Sequence, residues 1–244
     1  MRNIKLIIEY EGTNYCGWQR QKNGISIEET IENAIEKVLK ERVEIIGSSR
    51  TDAKVHAKGQ VANFLTSTRI PAEKISYAIN SALPDDIRIL YSEEVPENFH
   101  SRYDSKGKRY SYLIINREIP SALYRNYAAH VKHYLNFEDM LEASKFFLGE
   151  HDFSAFRSTG SSVKTSIRNI NLIELSRNAE FITLTIEANG FLYNMVRIIV
   201  GTLIDVGIGK IKPYDIKPII ESKDRRRAGA TAPPQGLYLE KVYY

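Results

Sequence analysis

One order of elements, β-α-β-β-α-β read twice along the chain, constrains what this sequence can fold into. Period-two alternation marks strands and a 3.6-residue apolar stripe marks amphipathic helices. IKLIIEY at 4–10 therefore reads as a strand. SIEETIENAIEKVLK at 26–40 reads as a helix with Ser26 as N-cap and Glu29 three residues on; Ile27, Ile31, Ala34, Ile35, Val38 and Leu39 form its apolar face. Strands at 43–47 and 57–65, a helix at 72–81 after Pro71 and a strand at 87–95 complete the first half. The second half runs through a strand at 108–116, a helix at 137–148, strands at 168–176 and 180–188 about a turn at Arg177-Asn178-Ala179, a helix at 191–206 and a strand at 237–243. This predicts an α+β chain of two ferredoxin-like (βαββαβ) halves, 1–100 and 101–244. Placed edge to edge, they would form one continuous, mainly antiparallel sheet with helices on one face and a central cleft on the other. The segment VPENFHSRYDSKGK suits the connection.

Several function classes fall away. No apolar run approaches the roughly 20 residues that span a bilayer. The N-terminal MRNIKLIIEY lacks the apolar core and cleavage site of a signal peptide. The single cysteine, Cys16, excludes an internal disulfide and suits a reducing cytoplasm, the expected location. His130 and His133 are three apart, but no Cys/His set surrounds them, so no metal is expected. No Gly-rich phosphate loop, dinucleotide fingerprint or nucleophile-elbow serine is present. Chemistry then falls to carboxylates, hydroxyls and acid–base groups without a cofactor.

Charge suggests the partner. The net charge is only +4, but residues 99–133 hold seven Lys and Arg against Asp104 and Glu118. Phe99, Tyr103, Tyr110, Tyr112, Tyr124 and Tyr127 are interleaved with them. Cations neutralise phosphates and aromatic faces stack on bases, so this pattern fits nucleic acid as well as a solvated face over core tyrosines.

Two stretches remain unexplained by packing. GSSRTDAKVHAK at 47–58 sets one carboxylate, Asp52, among cationic and small residues. It reads either as a polar turn or as a reactive carboxylate kept ionised by a cation. FLYNMVRIIVGTLIDVG at 191–207 is nearly all apolar, so it must be buried or form an interface, yet it carries Arg197. A buried Arg needs a partner, and Asp205, eight residues on, is too far for an i,i+4 pair. Asp52 as its partner would answer both questions; the alternative is an Arg197 that reaches to solvent along its aliphatic stem.

SSRTDAKVHAKGQVANF is similar to the signature loop of the tRNA pseudouridine synthase A (TruA) family. YEGTNYCGWQRQ, FHSRYDSKGKRYSYLI, GEHDFSAFR, FLYNMVRIIVGTLIDVG and APPQGLYLEKVYY resemble further motifs of that family, in order, from about residue 4 to residue 243. The resemblance implies an isomerase that converts uridine to pseudouridine in the anticodon stem-loop of tRNA, typically at positions 38, 39 and 40, as a homodimer without metal or cofactor. It implies Asp52 as catalytic carboxylate, Arg197 as its partner, and Arg50 in evicting the target nucleotide. It further implies Tyr110 as the stacking face on the uracil. Phe99, His100, Ser101, Arg102 and Tyr103, with Val163, Lys164, Thr165, Ser166 and Ile167, fall where the family contacts tRNA.

The residue types suit that chemistry. The reaction breaks the bond from uracil N1 to the ribose, turns the base and rejoins it through C5. The target must first leave the helical stack, which costs a few kcal/mol. An aromatic face returns about 1–3 kcal/mol by stacking. An ionised Asp can attack the ribose or serve as base. The chain departs from the family pattern at Lys54, a position that is usually Gly. If the backbone there needs φ > 0, Lys strains it; alternatively Lys54 reaches an RNA phosphate. Ser48, Ser49, Asn194 and Ile198 also differ. The competing reading is a non-catalytic RNA-binding module, since ferredoxin-like sheets also build such domains. The nearest stretch, KGQVANF, lacks the stacking aromatics that module needs.

Overall fold

A computed structural model describes residues 1–160 and 165–244. The fold is α+β, with ten strands and five α-helices among the described residues, and the strand pairing is mainly antiparallel. The residues cluster into two compact units, Met1–Lys106 with Tyr238–Tyr244, and Gly107–Leu237.

The first unit contains β1 (Arg2–Tyr10), α1 (Ile27–Leu39), β2 (Ile46–Gly47), β3 (His56–Thr66), α2 (Ala72–Asn80) and β4 (Ile87–Val95). β1 lies between β3 and β4, antiparallel to both. The other edge of β3 is shared. β2 pairs antiparallel at Asn63 and Ala62, and β10 (Leu237–Tyr243) pairs parallel at His56 and Ala57. That pairing explains why the closing strand clusters with the first unit, although the sequence order attached it to the second half. Ser26 caps α1 by accepting from the Glu29 amide, and Ile27, Ile31, Ala34 and Ile35 are buried on the predicted face. β2 is shorter than the 43–47 predicted, because within that span only Ile46 and Gly47 pair with β3.

The second unit contains β5 (Gly107–Asn116), β6 (Ala129–Val131), α3 (Phe137–Ser144), β7 (Gly149–Asp152), β8 (Ile167–Asn178), β9 (Phe181–Ala188), α4 (Met195–Gly207) and α5 (Ile216–Ser222). β9 lies between β5 and β8, β7 continues from β8, and β6 pairs parallel with β5. β6, β7 and α5 were not foreseen. They run three, four and seven residues, too short for a periodic signal. α3 stops at Ser144 rather than 148, passing into a tighter 3-10 turn over Lys145–Phe147 before Gly149 turns the chain at φ +93°. The β8–β9 hairpin closes through Ala179 and Glu180, with Ala179 at φ +53°.

α4 begins at Met195, not 191. Asn194 precedes it in the left-handed conformation, φ +62°, which Asn tolerates better than most residues. The helix buries Val196, Ile198, Ile199, Val200, Leu203 and Val206 within its own unit, so its apolar surface is core. A Cβ on Gly201 would stand 1.7 Å from the Ala230 carbonyl oxygen, so the segment 229–232 lies directly against the helix backbone. No helix among the described residues is long and apolar enough to cross a membrane.

Candidate active site

Asp52 sits in a turn that the first unit's backbone holds on both sides. The Trp18 amide donates to the Thr51 carbonyl at 3.0 Å, and Gly17 pairs with Asp52 as an isolated antiparallel bridge. Thr51 Oγ1 and Tyr10 Oη share a buried hydrogen bond of 2.7 Å. The Val55 amide returns to the Asp52 carbonyl at 3.2 Å and closes the turn. On the far side, the Gly12 amide donates to His56 Nδ1 at 3.0 Å, and the His56 ring stacks on Tyr238 with centroids 4.9 Å apart.

The loop's entry is equally tied down. The Ser48 amide donates to Val61 O at 2.8 Å, and its hydroxyl bonds Gln60 Oε1 at 2.7 Å. Gln60 Nε2 then donates to Ser49 O at 2.7 Å. These two serines anchor the loop to β3, with Ser49 Oγ itself buried and lacking a partner among the described residues. Asp52 is half-buried, while Arg50, Ala53 and Lys54 are exposed. The conditional expectation at Lys54 is met, because its φ is +66°.

The segment 99–103 follows β4 and divides by function. Ser101 is fully buried: its amide donates to Asn63 Oδ1 at 2.9 Å, its hydroxyl donates to Ile46 O, and its carbonyl accepts from Tyr244 Oη at 2.6 Å. Its hydroxyl is thus committed to the interior. Phe99 lies 5.1 Å from the Tyr244 ring, with Lys5 Nζ over both rings. His100 shapes the turn by accepting at Nδ1 from the Arg102 and Tyr103 amides, at 3.2 and 3.3 Å. Arg102 and Tyr103 remain outside, Tyr103 at 76% exposure, with the Arg102 guanidinium 5.9 Å from the tyrosine ring centre. A cation beside an exposed aromatic face suits a nucleic-acid strand.

In the second unit, Tyr110 on β5 is 7% exposed and packs edge-on against Phe191, centroids 5.1 Å apart. Arg197, in the first turns of α4, is half-buried. Its Nε donates to Ala232 O at 2.8 Å and its Nη1 to Asn194 Oδ1 at 2.9 Å, while the Ala232 amide donates to Arg197 O at 3.0 Å. Asn194 Nδ2 in turn donates to Ser158 Oγ at 2.9 Å. Asp205 pairs instead with Lys210 at 3.3 Å. Beneath this group Tyr112 is buried and donates to Pro233 O at 2.6 Å. Burial pushes its phenol well above the usual range, with the Arg197 charge pulling the other way.

Of the second predicted contact segment, Thr165 and Ile167 are exposed and Ser166 is half-buried, whereas Val163 and Lys164 lie outside the described residues. Among the described residues no three His, Cys, Asp or Glu gather as a metal site would require, and His130 Nε2 lies 2.7 Å from Arg117 O.

Reading the sequence alone missed the supports. Gly17, Trp18, Tyr10 and Thr51 fix Asp52, and Asn194 with Ala232 fixes Arg197. Gly17 and Ala232 act through backbone atoms, for which side-chain patterns carry no signal. Asn194 was legible only as the kind of residue that accepts a left-handed conformation.

Comparison with known proteins gives the family. The sequence model of the family described as tRNA pseudouridine synthase matches residues 6–104 and 143–244. The chain is 59% identical over 244 residues to tRNA pseudouridine synthase A of Acetivibrio thermocellus, covering 100% of both chains. It is 57% identical to tRNA pseudouridine synthase A 2 of Clostridium perfringens and 54% to the synthase A of Thermoanaerobacter pseudethanolicus, again over 100% of each. With the match running through the Asp52 turn, the 99–103 segment and α4 alike, the chain belongs to the tRNA pseudouridine synthase A family.

Proposed function

We propose that this chain isomerises uridine to pseudouridine in the anticodon stem-loop of tRNA, at positions 38, 39 and 40. It does so in the cytoplasm, as a homodimer, and without metal or cofactor. Asp52 attacks the ribose or takes a proton from it, with Arg197 as its charge partner; Tyr110 stacks on the flipped uracil and Arg50 takes the place the uridine leaves. This reading joins two ferredoxin-like halves into one sheet with a central cleft, so that Asp52 from one half and Tyr110 and Arg197 from the other act on one nucleotide. Arg102 and Tyr103, with Phe99 and His100 behind them, and the 163–167 segment hold the tRNA around it; Ser101 contributes by anchoring its segment to the interior.

The observation that carries the reading is the Asp52 turn. In a chain of this family, a half-buried carboxylate is held by backbone bonds on both sides and flanked by exposed cations. Preorganisation of that kind is what a cofactor-free rearrangement needs. The test is carbodiimide mapping of pseudouridine by primer extension on unmodified tRNA transcripts, with wild type and Asp52→Asn. A stop in the anticodon arm with wild type only, at equal tRNA affinity, is expected. No stop with either protein, while both bind tightly, would replace this reading with the RNA-binding module.

A further inference from the structure

We infer that Lys54 is a phosphate contact for the RNA strand that reaches Asp52, retained at the cost of an unfavourable backbone conformation. The inference rests on the function proposed above and deepens it.

Asp52 to Val55 form a tight turn closed by the Val55 amide, and Lys54 occupies the third position at φ +66°. That conformation crowds Cβ against the following carbonyl, and turns of this kind take Gly by default. Other non-Gly residues with positive φ have a structural setting. Lys40 and Lys223 end α1 and α5 as left-handed C-caps, Asn194 leads into α4, and Ala179 closes a two-residue hairpin. Lys54 caps no helix; it lies in the loop that connects the antiparallel β2 and β3, in a turn where Gly would serve without strain. Unfavourable backbone of this kind persists where function holds it.

The side chain has no structural task either. Lys54 is exposed and makes no hydrogen bond or ion pair among the described residues. Lys58, four residues on, differs: it pairs with Glu240 at 2.8 Å and lies 5.2 Å from the Tyr238 ring centre. Arg50, two residues before Asp52, is exposed and likewise without a partner among the described residues. Two uncompensated cations thus straddle the carboxylate. A nucleotide whose ribose lies at Asp52 carries a phosphate on each side of that ribose. With Arg50 proposed to fill the place the uridine leaves, Lys54 is the cation left to take one of these phosphates, as a compact point charge.

The test measures binding of the full chain to an unmodified tRNA transcript across a salt series, for wild type, Lys54→Gly, Lys54→Ala and Lys54→Arg, together with thermal melting. Removing one phosphate contact lowers the slope of log affinity against log salt by about 0.7–0.9. Both K54G and K54A should show that loss and K54R should not. K54G, which relieves the conformation, should melt above K54A, which keeps Cβ in it. A K54G slope equal to wild type overturns the inference, and so does a K54G protein that melts below K54A. Pseudouridine mapping on the wild type runs alongside. A wild type that modifies tRNA while K54G keeps its slope removes only this inference; a wild type that modifies nothing removes the function it rests on.

Discussion

Gly17→Ala is the sharpest probe of the role proposed for Asp52, and of whether that role needs position rather than the mere presence of a carboxylate. A Cβ on Gly17 would stand 2.6 Å from Thr51 O, 3.1 Å from the Asp52 carbonyl carbon and 3.2 Å from the Ala53 amide nitrogen, and Gly17 itself has φ +112°. Ordinary contact begins near 3.4 Å, so the Thr51 carbonyl must retreat by about 0.8 Å. That carbonyl also accepts from the Trp18 amide, so the bond that fixes the turn is strained by the same movement. The conformational cost is roughly 1–3 kcal/mol and the overpacking cost a similar amount. At about 2–4 °C per kcal/mol for a chain of this size, melting should fall by about 8–16 °C for a mid-range total of about 4 kcal/mol. A misplacement near 1 Å costs about 10²-fold in rate, so single-turnover pseudouridine formation should slow about 10- to 100-fold. Gly209→Ala is the control, since Gly209 has φ +81° but nothing within 4 Å of a built Cβ. It should lose stability through conformation alone and keep its rate. The assay runs below both melting temperatures, with tRNA affinity measured in parallel. A folded Gly17→Ala protein with the wild-type single-turnover rate would refute the reasoning, as would an equal rate loss in Gly209→Ala.

Asn194→Ala removes the acceptor for Arg197 Nη1 and the donor to Ser158, and places Ala at φ +62°. It should cost about 2–4 kcal/mol in stability and lower the rate, because a hydrogen bond to a charged group is worth about 1.5–3 kcal/mol. Asn194→Gly should recover part of the stability but not the rate; full recovery of rate would show that Asn194 serves only the backbone. Glu41 accepts from Thr66 Oγ1 at 2.6 Å, Ser67 Oγ at 2.5 Å and the Ser67 amide at 3.1 Å. These bonds, the Ser67 hydroxyl foremost, hold its carboxyl below the usual range. Its contribution is therefore complete above the ordinary Glu pKa near 4.3 and is lost as pH falls through the lowered folded value. Glu41→Gln should destabilise at pH 7 and converge on wild type in melting curves taken toward pH 3; a constant gap across that range would contradict the assignment.

What the sequence made legible follows from which forces leave periodic marks. The burial face of α1, the strands β1, β3 and β4 and the β8–β9 hairpin were readable because their apolar residues repeat at 3.6 or 2 over enough residues. β6 and β7 are too short to show a period, and α5 carries Pro218 inside seven residues. The residues of the candidate site were legible as chemistry: a lone carboxylate among cations, an Arg in an apolar helix, tyrosines in a basic strand. Their supports were not. The helix boundary at Met195 depends on one left-handed Asn. The partners found for Arg197 in the second unit, Ala232 O and Asn194 Oδ1, depend on where 229–233 runs along α4. The resemblance places Ser101 within a contact segment, and only the fold shows its hydroxyl turned inward to Ile46.

The same framework connects the strain at Lys54 to the rigidity of Asp52. A Cβ on Gly12 would stand 2.1 Å from Val55 O, and one on Gly17 would stand 2.6 Å from Thr51 O. The loop after β1 therefore presses bare backbone against both ends of the turn, at Thr51 and at Val55. Between those two fixed points only Asp52, Ala53 and Lys54 remain to reverse the chain, and the Val55 amide must still reach the Asp52 carbonyl. A four-residue turn so constrained takes positive φ at its third position, and the chain accepts it there although Lys, unlike Gly, pays for it sterically. Lengthening the loop would relax Lys54 and release Asp52 together. The left-handed lysine and the well-placed carboxylate are two consequences of one clamp, and the glycines that build it are as necessary to the site as the charge it presents.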